Sequence, residues 1–299
     1  MVGSRSKVKK AVIVAAGFGT RFLPASKAIP KVMFPVIDKP IIQYVVEDLV
    51  ESGISDITFV VSPYFPETKK YFEPSVVLNE LLMKAGKEEQ IEKLKKIENL
   101  ADFHFVEQKP GGIVGTGAAL LPAKEAVADE PFFLSWADEF YLGNPPRAKQ
   151  SIDVYERFGG MVIGCLRTTD PRDGDRWGFV VGDKVDKNVV RVTQLVEKPG
   201  EGKAPSELAT MSGQVLLPEV FDYLEEARRG LLPGKELYVN VHGMGKMLAD
   251  GYPIYGVEFQ GCRYFDTGDK LGYLKTLVEL GLESEEFGEE FREYLKGLV

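Results

Sequence analysis

The chain has 299 residues, 44% hydrophobic and 27% charged, with a formal net charge of −8. These are ordinary globular proportions and leave enough apolar residues for a sizeable core. The acidic balance excludes a global basic field for nucleic acid or an anionic membrane, so an anionic ligand would have to be met by local cations.

In chain order, a basic start from Arg5 to Lys10 runs into apolar residues and faintly mimics a secretion signal. The apolar part stops at Gly17, with charge at Arg21, and is shorter than such a segment needs. No stretch approaches the length of a membrane span, and the cytoplasm is the expected location. Residues 10–16 read as a buried strand. That strand breaks into Gly17-Phe18-Gly19-Thr20-Arg21, and Lys31 follows ten residues after the arginine. Glycines let a backbone approach a ligand and turn its N–H groups toward an anion. Arg21 and Lys31 are then placed as fork and point donors for phosphate.

Three phosphate-loop grammars compete for this segment. The P-loop spacing is absent. The dinucleotide fingerprint needs a third glycine where Phe22 stands, and Asp38 sits in a turn rather than closing a second strand. The pattern GxGTR-x-x-P, with Pro30-Lys31 beyond it, is what the residues spell.

A helix is expected near 40–52 and a strand over 57–61. Residues 77–99 read as a solvated helix pair with Glu89–Lys93 and Glu92–Lys96 at i,i+4. Next come a strand over 103–107 holding a structural His104, a glycine-rich loop, a helix over 116–127, and a strand over 132–136 ending near Asp138. Cys165, in the apolar run 161–166, and Cys262 read as small core residues and cannot make a disulfide framework. Two histidines, His104 and His242, are too few for a histidine-based metal site. Residues 284–299 read as a charged terminal helix.

This alternation predicts an α/β fold with a Rossmann-like, mostly parallel (mixed) central sheet and helices on both faces. Ligands in such sheets lie outside the carboxyl ends of strands, which places loops 17–31, 108–118 and 137–141 on one edge. With no repeat or low-complexity linker, residues 1–299 read as a single domain.

Several residues then suit particular chemistry. The Gln108 amide can donate and accept, as the edge of a uracil or thymine requires. The following loop, Gly111 to Ala118, could equally be a glycine turn that only enters a helix. A strand delivering Asp138 to the sheet edge suits Mg²⁺, which takes one or two carboxylates plus phosphate oxygens, and Asp266 in Phe265-Asp266-Thr267-Gly268 would supply the second. By itself Asp138 also suits a surface or capping acid. Glu197-Lys198 could hold two sugar hydroxyls and a phosphate, or form a solvated surface pair.

The segments AAGFGTRFLPASKAIPKVMFPVIDKPIIQYVVEDL at 15–49, VEKP at 196–199 and FDTGDKLGYLK at 265–275 resemble the sugar-nucleotide pyrophosphorylases, above all the bacterial uridylyltransferases, in order over about 10–280. The resemblance implies the nucleotidyltransferase fold and transfer of a uridylyl group from UTP to glucose 1-phosphate, releasing pyrophosphate. Within that fold it implies a nucleotide-binding half over about 8–145 and a sugar-phosphate-binding, metal-completing half over about 150–299. It implies nucleotide contacts from Ala16, Gly17, Gly19, Gln108, Gly115 and Ala137, and sugar-phosphate contacts from Gly178, Glu197 and Lys198. Asp138 and Asp266 would hold Mg²⁺; Arg21, Lys31 and Lys198 would be the catalytic cations. The resemblance also implies a homo-oligomer, dimer or tetramer. No nucleic-acid or membrane partner is expected.

Chemistry agrees with that set. A sugar phosphate with a second pKa of about 6 is already dianionic and can attack the α-phosphorus directly. No protein nucleophile is needed, and no Ser–His–Asp, Cys–His or G-x-S-x-G arrangement stands in the sequence. Two departures from the family pattern keep other readings open. The gap from Gln108 to Gly115 is longer than usual, with Thr116 and Ala118 where bulkier residues stand, which predicts a looser lid over the base. Residues 235–242 read KELYVNVH, with Asn240-Val241 in place of Thr-Asp. An enzyme using dTTP or another triphosphate, and a non-catalytic sugar-nucleotide-binding protein, are the alternatives.

Overall fold

The computed structural model describes residues 6–109 and 111–298; Arg5 and Val299, which the sequence reading included in its basic start and terminal helix, lie outside them. The first half runs β1 (Lys10–Ala15), a ribbon of β2 (Pro35–Val36) and β3 (Lys39–Pro40), α1 (Ile41–Glu51), β4 (Asp56–Val61), α2 (Glu67–Phe72), α3 (Val76–Lys84), α4 (Glu88–Glu98), β5 (Asp102–Glu107), α5 (Thr116–Leu120), α6 (Lys124–Val127) and β6 (Phe132–Trp136). The second half runs β7 (Glu139–Gly143), α7 (Arg147–Phe158), β8 (Met161–Arg167), β9 (Gly178–Asp186), β10 (Val189–Glu197), β11 (Leu208–Thr210), β12 (Gln214–Leu216), α8 (Val220–Arg229), α9 (Gly245–Ala249), β13 (Ile254–Glu258), β14 (Cys262–Asp266), α10 (Lys270–Leu282) and α11 (Gly288–Lys296).

Ten strands form one sheet in the order β11-β9-β10-β13-β8-β12-β6-β1-β4-β5. β5, β4, β1 and β6 are parallel neighbours. The second half joins through β12, antiparallel to both β6 and β8. The sheet is therefore mixed: parallel where β–α alternation dominates, antiparallel where β9 and β10 form a hairpin. Alternate residues of β1 enter two separate cores. Ala11, Ile13 and Ala15 pack with α1, and Val12 packs with α8. A strand buried on both faces reads as a continuous apolar run, as 11–16 does.

The structure corrects two details. The helix over 116–127 is broken by a tight turn at Leu121–Ala123, because Pro122 lacks an N–H and crowds the preceding turn. The stretch 77–99 is two helices, as expected, parted at Gly86, which takes φ +66°. Glu89–Lys93 pair at 3.3 Å, but Glu92 meets Lys95 at 2.8 Å rather than Lys96. His104 lies on the edge strand β5, 3.6 Å from Asp56. Cys165 is buried and Cys262 half-buried, both as free thiols. Among the described residues, no helix is long and apolar enough to cross a membrane.

One polar group crosses the core. Arg147 is 0% exposed. It pairs with Asp48 of α1 at 3.0 Å, donates to the Ser135 hydroxyl at 3.1 Å and lies over the Tyr141 ring. Ser135 in turn meets Ser212 at 3.2 Å, which accepts from the Trp136 N–H. Removing one member of a buried pair leaves the other charge uncompensated. Asp48→Ala should therefore cost about 3–5 kcal/mol in urea unfolding. The double replacement Asp48→Leu with Arg147→Met should recover much of that loss.

Candidate active site

The carboxyl ends of the four parallel strands meet around a cleft of about 600 Å³. β1 leads into Ala16, Gly17, Phe18 and Gly19, β4 into Ser62 and Tyr64, and β5 into Gln108. β6 brings Trp136 and Asp138. Strand order reverses beside β1, with β4 and β5 on one side and β6 on the other, so the cleft lies at a topological switch point. The loop after β1 is held by its own geometry. Gly19 takes φ +59°, and a Cβ there would crowd Ser26 and Lys31 at 3.2 and 3.1 Å. The Gly19 carbonyl accepts from the Ser26 hydroxyl at 2.8 Å. Gly17, with nothing within 4 Å of a would-be Cβ, leaves open space beside the loop.

The second glycine loop is pinned, contrary to the looser lid expected from its length. Val114 and Leu237 exchange backbone bonds with Lys235 and Val114, and Gly117 N–H donates to Leu237 O at 2.8 Å. The cause is close backbone packing. A Cβ on Gly115, at φ +101°, would stand 2.6 Å from the Leu237 carbonyl. The glycines serve this seam as well as the cleft wall.

Lys31 and Asp138 form one ion pair at the cleft, 2.5 Å apart. Ala137 does not line the cleft. It is buried, and its N–H extends the sheet by donating to Val14 O at 3.2 Å. Asp266 arrives from the far end of the chain. β14 pairs with β7 in a register that sets Asp266 opposite Glu139. Thr267 then donates to the Asp138 carbonyl from both its N–H, at 3.2 Å, and its hydroxyl, at 2.5 Å. A Cβ on Gly268 would lie 2.8 Å from Asp266 Oδ1 and 3.8 Å from Asp138 Oδ2. The missing side chain thus keeps clear a cradle bordered by both carboxylates. Among the described residues no group of three or more His, Cys, Asp or Glu forms a closed metal site. Two carboxylates fit a hard divalent ion that completes its shell with ligand oxygens. Arg21 reaches the same spot, donating to Gly268 O at 3.3 Å.

A second cavity, of about 240 Å³, holds Gly178, Glu197 and Lys198. It shares Thr116 and Trp136 with the larger cleft. A Cβ on Gly178 would stand 2.8 Å from both Glu197 Oε2 and Thr210 Oγ1, so the glycine keeps that part of the cavity open. Burial raises the Glu197 carboxyl above its ordinary pKa, against the Asn240 hydrogen bond and the Lys198 charge, which lower it. Lys198 takes φ +46°, a strained conformation for a non-glycine of the kind found at ligand clamps. Its ammonium lies 5.8 Å from the Tyr238 ring centre.

Sequence reasoning missed several residues here. Arg176 pairs with Asp266 at 2.9 Å and stacks on Trp177. Glu139 opens on the small cavity but is otherwise enclosed, held by Ser212 N–H at 2.9 Å and the Tyr264 hydroxyl at 2.7 Å. Burial first, then the Asp138 charge, pushes its carboxyl up to about 7. Thr210, Gln214, Tyr238 and Asn240 complete the cavity from β11, β12 and the segment after α8. The β7–β14 pairing points to Glu139; Tyr238 and Asn240 stood in the stretch 235–242 singled out as a departure, but nothing in the sequence marked them, Thr210 or Gln214 as lining a cavity.

A switch-point cleft that joins a phosphate-type glycine loop to a smaller polar cavity defines a protein that joins a nucleotide to a second, smaller substrate. The family described as nucleotidyl transferase matches residues 10–281, and the chain belongs to it. It is 38% identical over 292 residues to a UTP–glucose-1-phosphate uridylyltransferase of Staphylococcus epidermidis, covering 98% of this chain and 99% of that protein. The UTP-bound UGPase from Acinetobacter baumannii superposes with a TM-score of 0.86 at 31% identity, covering 98% of this chain and 100% of that one. A UDP-glucose pyrophosphorylase complexed with UDP-glucose superposes at 0.80 with 28% identity, covering 93% and 100%.

The seam at Gly115 yields a stability prediction. Gly115→Ala should lose at least about 2 kcal/mol in chemical unfolding, from strain at positive φ and the contact with Leu237. It should also weaken nucleoside triphosphate binding by calorimetry. A wild-type unfolding curve and affinity would show that the seam does not shape the cleft.

Proposed function

We propose that this chain transfers a uridylyl group from UTP to glucose 1-phosphate, giving UDP-glucose and pyrophosphate. The observation that carries the reading is the joining of the two cavities at Trp136 and Thr116, with Lys31–Asp138 on one and Glu197–Lys198 on the other. A nucleotide in the larger cleft then has its phosphates beside those of a sugar phosphate in the smaller one. The named activities of the relatives support the choice of substrates.

The steps need only positioning and charge. UTP lies with its base near Gln108 and Gly115 and its phosphates along the Ala16–Gly19 turn. Lys198 holds the phosphate of glucose 1-phosphate, and Glu197 accepts from its hydroxyls. A phosphate oxygen of the sugar attacks the α-phosphorus of UTP in line. A new P–O bond forms as the α–β bridging bond breaks, and pyrophosphate leaves with that electron pair. Lys31 steadies the transferring group and Arg21 faces the leaving pyrophosphate. Asp138 and Asp266 would hold Mg²⁺, which neutralises phosphate charge when bound.

The test is a matrix of nucleoside triphosphates against hexose 1-phosphates, with Mg²⁺, scored by pyrophosphate release. UTP with glucose 1-phosphate should be best. Use of dTTP should be detectable, since one methyl group is worth only about 1–3 kcal/mol. In the same assay Asp138→Asn and Asp266→Asn should each lower turnover at least about a hundredfold. A purine triphosphate as best donor, or no release from any pair, would sink the reading and favour a binding protein.

The two lysines should separate kinetically. Lys31→Ala should mainly lower turnover, because its contact strengthens as charge moves. Lys198→Ala should also raise the Michaelis constant for the sugar phosphate, whose ground state it holds. The reverse pattern would mean the lysines serve the opposite phosphates.

A further inference from the structure

The small cavity contains a chain of amides that the transfer chemistry does not use. Asn240 Nδ2 donates to Glu197 Oε2 at 3.3 Å. Gln214 Nε2 donates to Asn240 Oδ1 at 2.9 Å. Gln214 is only 3% exposed and borders the cavity, and its Oε1 has no hydrogen-bond partner among the described residues. Asn240 is delivered by a π-helical turn over Val239–Met244, a distortion that often marks functional sites.

The direction of this chain is set by charge. When Glu197 is ionised it can only accept, and Asn240 turns its NH₂ toward it. Its carbonyl then faces Gln214, which must answer with its own NH₂. The orientation of both amides follows from Glu197 rather than from a free choice of flip. The loose end of the relay is therefore an acceptor. An unpaired buried acceptor costs about 1–3 kcal/mol, and Gln214 lines the adjoining cavity, so a donor bound there would relieve that cost.

We propose that Gln214 and Asn240 determine sugar specificity, selecting hexose 1-phosphates that carry a hydrogen-bond donor, a free hydroxyl, at the ring position meeting Gln214 Oε1. The inference rests on the proposed transferase reading and names what that reading leaves open. A cavity of about 240 Å³ lies below the range of about 300–1,000 Å³ typical of drug-sized ligands, which suits a single sugar ring. Groups that only accept, and a bare methylene, leave the relay end unpaired and are rejected. A site built to bond a hydroxyl discriminates more sharply than one that merely leaves room for it.

The test uses the full chain with UTP, Mg²⁺ and glucose 1-phosphate. It is repeated with the deoxy and deoxyfluoro analogues at each ring hydroxyl, since fluorine fills space but cannot donate. In the wild type, both analogues at the position meeting Gln214 should lose about tenfold or more in kcat/KM, as should those at the hydroxyls from which Glu197 accepts. Gln214→Met should lower kcat/KM for glucose 1-phosphate similarly, mainly through KM, and add no further penalty for the analogues at that position. Asn240→Ala frees the Gln214 amide to turn and donate, so it should erase the penalty for fluorine while keeping that for the methylene. UTP affinity by calorimetry, unchanged within about threefold, would show that each variant is folded with an intact nucleotide cleft. Equal losses for parent and analogues in Gln214→Met, or a wild type indifferent to all of them, would overturn the assignment. Absence of pyrophosphate release by the wild type would overturn the transferase reading and this inference with it.

Discussion

The antiparallel pairing of β14 with β7 is the constraint on which the rest of the site depends. It sets Asp266 opposite Glu139, and so beside Asp138, although the two aspartates lie far apart in the chain. Thr267 locks the arrangement with two bonds to the Asp138 carbonyl, and Glu139 ties the Tyr264 hydroxyl to the Ser212 backbone. One short ribbon thus joins the carboxylate of the nucleotide half, the second carboxylate, and the floor of the smaller cavity. Like charges brought this close repel, and the local cations answer: Lys31 on Asp138, Arg176 on Asp266, with Arg21 on the carbonyl of Gly268.

The two glycine-rich loops look alike in composition but answer different demands. Gly19 is required by a left-handed turn packed against Ser26 and Lys31. Gly115 and Gly117 are required by the near-contact of their backbone with Leu237. Leu237 lies in the stretch 235–242 singled out in the sequence. Tyr238 and Asn240 from that segment then turn into the smaller cavity, one under the Lys198 ammonium and one on Glu197. A change in one stretch therefore bears on the nucleotide cleft through the seam and on the smaller cavity through its side chains.

Beneath both lies the buried Arg147 group. It connects α1, β6 and the loop before β12 through Asp48, Ser135 and Ser212. A buried polar network fixes the arrangement of the elements it joins, at the risk of a large loss when one partner is removed, although here Arg147 Nη1 has no hydrogen-bond partner among the described residues. Here those elements carry Trp136, which the two cavities share, and Ser212, which holds Glu139.

Local features were legible in the sequence because their physics is local. The apolar run 11–16, the glycine turn at 17–21, the alternation of strand and helix, and the acid at the end of β6 each follow from residues close together in the chain. The family pattern, spread along nearly the whole length, supplied the partners Glu197, Lys198 and Asp266. What the sequence could not disclose was distance between remote segments. The ion pair of Lys31 with Asp138, Arg176 on Asp266, the seam at Gly115 and the relay of Gln214, Asn240 and Glu197 each need two or three strands or loops placed by long-range pairing. A glutamine on a three-residue strand and an asparagine in a turn carry no periodicity or spacing. Their chemistry exists only once the sheet has folded β12 and the Val239–Met244 turn onto the end of β10.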